Sequence, residues 1–479
     1  MVSLLLMGCS FISSAEIEAK FASDSAAVNG DTAGDSGSGD ADTDSDTDSD
    51  TDADTDTDAD PDADGDGYPA SSDCDDTNAA VNPGMTEVPY NGIDDDCNAA
   101  TPDDDLDGDG YPIATDCDDT DASVNPGEAE VWRTHNGVDE NCNGYIDEIT
   151  VPDAFSTIQA AMDAASDGDT VLVRAGTYNE ALNAPATELT LVGEDGADAT
   201  IVDAAGTDES ALEVSQAGGK TLTVEGIWFE NGTYEGTSWG GTVACHDGGP
   251  LNMEDVIVTG GQGSLGGGGI GFYDCPGDLL RVTIADNNSY SLGGGLALEG
   301  TGGSIVTAEN LLVVGNSARA EGGGIQVETG ESLTMTQSTV IGNTAPDGGG
   351  VYGYGTLSIA SSIIAYNAYF SGGYGGGLYD TNSANAAAVA FSDVSGNDTP
   401  EVYGAGTVFT AGSNGNLSED PLFVSWTTGA DWTTQDLHLQ TTADGYAADS
   451  PCVDAGDSST SDRDGSRADM GFYGGPESP

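Results

Sequence analysis

The chain has 479 residues and a formal net charge of −77, with 8 Lys and Arg against 85 Asp and Glu. That balance excludes nucleic acid as a partner, because nothing could neutralise phosphates, and it excludes adsorption to a bare anionic membrane for the same reason. Small cations are the natural partners, and the length allows two or three domains.

The chain opens Met1-Val2-Ser3-Leu4-Leu5-Leu6-Met7-Gly8-Cys9-Ser10. Leu6-Met7-Gly8-Cys9 resembles the lipobox of bacterial lipoproteins, and the resemblance implies cleavage before Cys9 and diacylglycerol on its thiol. The expected signal, residues 1–9, is a shortened one, with no basic residue and a brief apolar run. No other apolar run is long enough to span a bilayer. The expected location is the cell envelope, lipid-anchored at the outer membrane and surface-exposed, or secreted. Lipid would be the only membrane contact.

Residues 10–61 hold Asp, Thr, Ser, Ala and Gly with few aliphatics, and between Thr51 and Asp60 every second residue is Asp. Such a segment cannot bury a core, so a disordered acidic stalk is expected. Aspartates ~7 Å apart repel within a Debye length of ~8 Å and stretch the chain.

Residues 62–148 carry the most specific chemistry. Asp62, Asp64 and Asp66 stand at positions 1, 3 and 5 of a loop, Gly67 at the turn, Tyr68 at position 7 and Asp73 at position 12. This is the ligand spacing of an EF-hand-type calcium loop, with Asp as the last ligand and the Tyr68 carbonyl as another. Asp105, Asp107, Asp109, Gly110, Tyr111 and Asp116 repeat the spacing. A further loop runs through Asp139, Asn141, Asn143, Gly144, Tyr145 and Asp147, whereas its counterpart at Asp94 has Ala99 in place of the turn glycine. The whole pattern, with Asp-Cys-Asp-Asp, Asn-Pro-Gly and Asn-Gly-x-Asp-x-x-Cys-Asn, resembles the metal-binding motif repeats of bacterial secreted proteins. That family is named after a copper-binding outer-membrane protein. The loops also look like thrombospondin type 3 and dockerin calcium loops. The resemblance implies metal binding, and hard oxygen donors choose calcium over copper, for which His135 is the module's lone imidazole. Cys74 with Cys97 and Cys117 with Cys142 occupy equivalent places, so one disulfide per unit is expected among the three pairings that four Cys allow.

Residues 149–420 read as a solenoid. The run from Val151 to Ala165 predicts a short amphipathic helix with Phe155, Ile158, Met162 and Ala165 on one face. A glycine run followed by an apolar residue then recurs at Val243, Ile270, Leu296, Ile325, Val351 and Leu378, at spacings of 27, 26, 29, 26 and 27. Each period holds three short apolar runs and a polar turn containing Asn231, Asn287, Asn316, Asn343, Asn367 or Asn397. Three short strands per period close one coil of a parallel β-helix, with inward Asn stacking on Asn and Gly supplying the sharp bends. The opening run resembles that of right-handed parallel β-helix proteins of the pectate-lyase-like superfamily, where a helix covers the first coil. The Gly-Gly-Gly and Asn repeats also resemble those of polymorphic outer-membrane proteins, adhesin-like surface β-helices. The expected class is all-β: a right-handed parallel β-helix with an N-terminal capping helix, behind a disordered linker and a disulfide and calcium-loop module. Cys245 and Cys275, about one coil apart, suit a disulfide between neighbouring coils. Residues 421–479 are expected to cap the last coil.

The pectate-lyase-like resemblance implies a polysaccharide lyase or hydrolase. A lyase needs a basic group beside a substrate carboxylate, and the coils offer Arg174, Lys220, Arg281 and Arg319, none in an acidic cluster. A hydrolase needs paired carboxylates, for which Asp274 and Asp286 are candidates. No catalytic residue is assigned. The expectation is a non-catalytic, calcium-binding surface lipoprotein whose solenoid face serves adhesion or envelope structure and takes a carbohydrate or protein ligand. Alternatives are the polysaccharide enzyme and a metal-sequestering protein.

Overall fold

The computed structural model describes residues 61–98, 101, 103–128, 130–131, 138–146, 148–215, 219–233, 240–301, 303–370, 372–382, 387–404 and 409–479. The expected signal with Cys9, the acidic stretch to residue 60, His135 and Asp147 lie outside them. Residues 62–479 form one compact unit.

From Ile149 onward the chain winds a right-handed parallel β-solenoid of about eight turns. Three long sheets of 10, 9 and 9 strands form its walls, and a fourth, five-stranded ribbon lines one corner. One coil shows the order. Ile270–Tyr273 lies in the first wall, Gly277–Leu280 in the second, Thr283–Ala285 in the third and Asn288–Ser289 in the ribbon. The glycine-marked residues fall into one register column: Val243 pairs with Ile270, then Leu296, Ile325, Val351 and Leu378. All six are fully buried. Coils ~4.8 Å apart bring like side chains into contact, which turns a sequence period into a core.

The asparagines form a continuous ladder. The Nδ2 of Asn287 donates to the Oδ1 of Asn316, Asn316 to Asn343, Asn343 to Asn367 and Asn367 to Asn397, at 2.9–3.0 Å. Each Oδ1 also accepts a backbone N–H from the coil before, as Asn343 does from Asn316. Asn231 does not join them. It sits one position earlier, at φ +59°, with its amide on Asp203 at 3.0 Å, while Gly261 holds the ladder position in the next coil. A second ladder crosses the corner between the second and third walls. There Ser338, Ser362 and Ser392 each take a backbone N–H with Oγ, and Asn416 ends the row with Oδ1.

Two kinds of corner bend the coil. In the glycine run, a Cβ on Gly294 or Gly323 would collide with a carbonyl of the following coil, so close backbone approach requires glycine. The other corner needs a left-handed residue yet seldom uses glycine. Asp255, Arg281, Asn310, Gln337, Ser361 and Phe391 stand there with φ between 46° and 52°. The uniformity across unlike side chains shows that stacking, not local preference, sets this conformation.

The helix runs Ile158–Ala164, with Thr157 as N-cap and Ile158, Ala161 and Met162 buried. Glu180 accepts the Ile158 and Gln159 N–H groups, satisfying donors the helix start leaves open. The strand Ile149–Val151 pairs with Asp169–Val173 and begins the second wall.

The C-terminal segment departs from expectation. Asn416 and Leu417 extend the last coil, but the rest lies along the solenoid's flank and does not cap its end. Phe423, Leu437, Cys452, Met470 and Phe472 bury against Leu312, Val314, Ile341, Ile363 and Ala365 on the outer side of the third wall. The reason is legible in that wall: residues such as Ile341 and Ile363 make it apolar on both faces, so it needs a cover. Asn310 clasps the cover by donating to the Phe472 and Gly474 carbonyls at 2.6 and 2.7 Å.

Replacing Asn343 with Ala removes one rung while leaving both neighbours buried. Leaving the Asn316 and Asn367 groups unsatisfied should cost about 3 kcal/mol. Chemical denaturation of the variant beside wild type measures it, and a change within error of zero would mean the ladder is dispensable.

Candidate metal centre

The module of residues 62–148 has almost no apolar interior. Among its described residues only Val81 and Val124 are buried hydrophobics, and Ile93, Leu106, Ile113 and Ile146 are exposed. Two disulfides, Cys74–Cys97 and Cys117–Cys142, join its loops, and Cys245–Cys275 joins neighbouring coils of the solenoid. Cross-links hold together what a core this small cannot.

Sequence dictates the loop geometry. Asp62 accepts the N–H of Gly65 with Oδ1 at 2.7 Å and that of Gly67 with Oδ2 at 3.1 Å. Asp64 accepts from Asp66, and Asp66 from Tyr68. Both glycines lie at positive φ, curling the backbone so that the three carboxylates converge. An oxygen from each of Asp62, Asp64 and Asp66 lies within 4.8 Å of the others. Asp105, Asp107 and Asp109 repeat this, with Asp105 bound to Gly108 at 2.7 Å and Gly110 at 2.9 Å.

The unspent oxygens show what these loops are built for. Asp64 Oδ2 and Asp73 Oδ2 are buried without a hydrogen-bond partner, and Asp107 Oδ2 and Asp116 Oδ2 match them in the second loop. Burial raises the carboxyls of Asp64 and Asp107 above the ordinary aspartate range, and the charges of their fellow ligands, Asp73 and Asp116 included, push the same way. Convergent, sheltered, mutually repelling oxygens are the donor set of a hard divalent cation, and an ion there would relieve the repulsion. The cysteine sulfurs beside Asp73 and Asp116 are spent in disulfides and are no thiolate donors.

Further residues complete each loop. Asn82 donates to Asp66 Oδ2 and Asn125 to Asp109 Oδ2, both at 2.5 Å, fixing the third carboxylate. The tyrosines at position 7 pack their rings over Gly84 and Gly127, where any Cβ would strike the phenol. Asp76 and Asp119 close the loops by accepting the N–H of Ala63 and Leu106. Glu87 gathers with Asp94 and Asp96 in a further carboxylate group. Sequence reasoning assigned no role to Asn82, Asn125, Asp76, Asp119 or Glu87, and took the two tyrosines only for their carbonyls. The usable signal was their identical offset in both units, 16 residues from Asp66 to Asn82 and from Asp109 to Asn125.

The loop at Asp139 is different. Asp139 accepts from Asn143 and Gly144, Asn141 from Asn143, and Asn143 from Tyr145, so its backbone follows the other two. The amide nitrogens of Asn141 and Asn143 both donate to Oε1 of the fully buried Glu148, at 2.9 and 2.8 Å. Protein donors thus satisfy one Glu148 oxygen, while its Oε2 is buried without a hydrogen-bond partner. No group of three acidic side chains converges here among the described residues, with Asp147 outside them.

The candidate bases of the solenoid are engaged. Arg174 pairs with Asp153 and Glu194, Lys220 with Asp167, and Arg281 with Glu254 and Asp255. Arg319 lies 4.2 Å over the Tyr290 ring. Asp274 and Asp286 stand at different corners of one coil, and Asp274 is tied to Thr301.

One comparison with known families bears on the loops. The metal-binding motif family Cu-binding MopE matches residues 73–103 and 116–148, so each copy starts at the last ligand of a loop. No curated protein matches the chain. Among solved structures, the pectate lyase Pel9A is 14% identical with a TM-score of 0.39, covering 66% of this chain and 90% of its own. The pectin methylesterase from Aspergillus niger is 14% identical with a TM-score of 0.26, covering 56% and 82%. A pectin methylesterase in complex with a hexasaccharide is 12% identical with a TM-score of 0.26, covering 58% and 96%. At these identities and scores the likenesses carry no argument about activity. The chain therefore carries two metal-binding motifs ahead of a parallel β-helix.

Two outcomes follow for the loops. Asn82→Ala should weaken cation binding at the first loop about ten-fold while leaving the second unchanged, as calorimetry would show. The carboxyls of Asp64 and Asp107 are raised in the folded state, so without metal the fold binds their protons more readily than the unfolded chain does. Stability in chelator should therefore rise as pH falls toward the ordinary aspartate value of 3.8, by an increment that Asp64→Asn with Asp107→Asn abolishes. Denaturation curves at stepped pH measure this.

Proposed function

We propose that this chain is a non-catalytic, calcium-binding protein of the bacterial cell envelope. It is tethered by lipid on Cys9 and holds its β-helix out on the acidic stalk for adhesion or envelope structure. The observation that carries the reading is the pair of buried, unpartnered carboxylate oxygens in each of two identical loops, at Asp64 with Asp73 and at Asp107 with Asp116. Calcium is the ion these donors favour, since all are oxygen and their spacing is that of calcium loops. Copper would ask for imidazole or thiolate. Three disulfides suit an oxidising compartment, in keeping with export. The bases of the coils being spent in ion pairs and ring contacts supports a non-catalytic solenoid. Its partners are then calcium ions, the membrane through lipid alone, and a carbohydrate or protein on the β-helix face.

Calorimetric titration of the full chain with calcium tests this. Binding of at least two ions at ~10⁻⁴–10⁻³ M is expected, with loss of two sites in Asp64→Asn with Asp107→Asn. Tighter binding of copper than of calcium, or no calcium binding, would overturn it.

A further inference from the structure

The outer surface of the first wall is unlike the rest of the solenoid. Along each strand, residues alternate between core and outside. Leu296 and Leu298 point in, so Ala297 and Glu299 point out. Register then sorts the outward residues into columns. One column runs through Gly271, Ala297 and Gln326 and then Tyr352, Tyr379 and Tyr403. Beside it, Tyr273 pairs with Glu299, and Glu328 follows on the next coil, its N–H on the Leu298 carbonyl. On the other side Leu292, Glu321 and Asp347 bridge in sequence. The first column lies beneath the glycine runs, with Ala297, Gln326 and Tyr352 all but buried, and what stays open is a belt of carboxylates and a platform of tyrosines.

The belt is not merely an acidic patch. Glu299 is 5% exposed and Gln326 fully buried, though both project from the outer side of the wall. Each keeps a side-chain oxygen with no hydrogen-bond partner, Glu299 Oε1 and Gln326 Oε1. Gly266 leaves the room in which the Glu299 carboxyl lies. Burial and the charge of Glu328 raise that carboxyl to about 7, so at neutral pH it can give or take a hydrogen bond. Both oxygens lie beneath the glycine corners of the chain itself, so the open polar groups of the belt are Glu321 and Asp347, the latter accepting the Tyr374 N–H at 2.8 Å.

The platform is preassembled. Tyr352 contacts Tyr354 and Tyr379 edge-on, with ring centroids 5.1 and 4.8 Å apart, and Tyr379 meets Tyr403 at 5.1 Å. Tyr403 stacks on Tyr374 at 4.6 Å, and these last two are 41% and 47% exposed. Interlocked tyrosines offer broad, rigid, amphipathic area at little entropic cost. Flat apolar rings beside the Asp347 and Glu321 carboxylates match a sugar ring, with its C–H faces and hydroxyl rim. The charge decides which sugars. No Lys or Arg stands in these columns, and the chain around them is strongly acidic, so uronates would be repelled.

We propose that this face binds a glycan chain that lacks acidic groups, neutral or amine-bearing. Sugar rings lie on Tyr374 and Tyr403 and give hydroxyl or amine hydrogens to the neighbouring carboxylates of Asp347 and Glu321. The inference rests on the reading of the solenoid as a presented surface and names what that surface takes. The full chain, in calcium, is titrated calorimetrically with gluco-, manno-, xylo- and chito-hexaoses, chitosan hexamer and oligogalacturonate. At least one non-acidic oligosaccharide should bind, oligogalacturonate should not, and Tyr374→Ala with Tyr403→Ala should weaken binding about ten-fold or more. Both positions are exposed, so the variant keeps its fold, and Tyr290→Ala, an exposed tyrosine off this face, should leave affinity unchanged. Failure of every non-acidic oligosaccharide, preference for oligogalacturonate, or equal loss in Tyr290→Ala would overturn the proposal. New reducing ends during titration would overturn the non-catalytic reading and leave the binding face standing.

Discussion

The solenoid depends on one constraint: each residue must tolerate its own equivalent ~4.8 Å above and below. Aliphatic columns meet that demand by dispersion and burial, as the stack from Val243 to Leu378 does. Polar groups meet it only when they are donor and acceptor at once, which is why an amide fills the inner corner. Asn343 gives Nδ2 to Asn367 and takes the N–H of Asn316 on Oδ1. A carboxylate at that rung would set like charges on one another, and an aliphatic would leave backbone groups without partners. In a chain of net charge −77, the stacked inner columns are built of aliphatics and amides and not of the acids that dominate the exterior.

That charge is handled differently in the two halves of the compact unit. On the solenoid, acids face water, pair with the scarce bases, as Glu254 and Asp255 do with Arg281, or are buried on backbone donors, as Asp380 is on the N–H groups of Asn382 and Ala387. In the loop module they turn toward one another, held by backbone N–H groups that Gly65, Gly67, Gly108 and Gly110 can aim only because of their positive φ. Like charges brought together and sheltered raise the free energy of the metal-free state. With only Val81 and Val124 buried among its described hydrophobic residues, the module has little apolar burial to offset this; the disulfides offset part of it, and a bound cation would offset more.

Much of this was legible in the sequence, for a physical reason: a solenoid maps spatial stacking onto linear period. The glycine marker fell on the core column, and the helix face of Ile158 and Met162 on the buried one. The disulfides Cys74–Cys97 and Cys117–Cys142 followed from equivalent positions in the two units. Failure came where a single-residue offset mattered. Asn231 looks like a ladder residue, yet it is one position early and takes the left-handed corner instead. The corner column of Asp255, Arg281 and Gln337 has no compositional signature, because stacking imposes its φ. The flank cover was missed because the two-sided apolar character of Ile341 and Ile363 shows only once core and outer faces are assigned. Glu299 and Glu328 lie 29 residues apart, and only the exact length of the intervening coil makes them neighbours.

The third loop keeps the spacing of the first two with a different set of side chains. Asp139, Asn141 and Asn143 hold their backbone as the first two loops do, so the pattern read from sequence is structurally real. Two of the three carboxylates are amides, however, and an amide carries its own donors. Those donors reach Glu148, which is fully buried and immediately precedes the first strand of the solenoid, Ile149–Val151. The negative charge that elsewhere waits for a cation is here partly neutralised by hydrogen bonds from within the chain. The Asn side chains thereby tie the module to the first rung of the β-helix through Glu148 Oε1, while Glu148 Oε2 stays buried and unpartnered like the carboxylate oxygens of the first two loops.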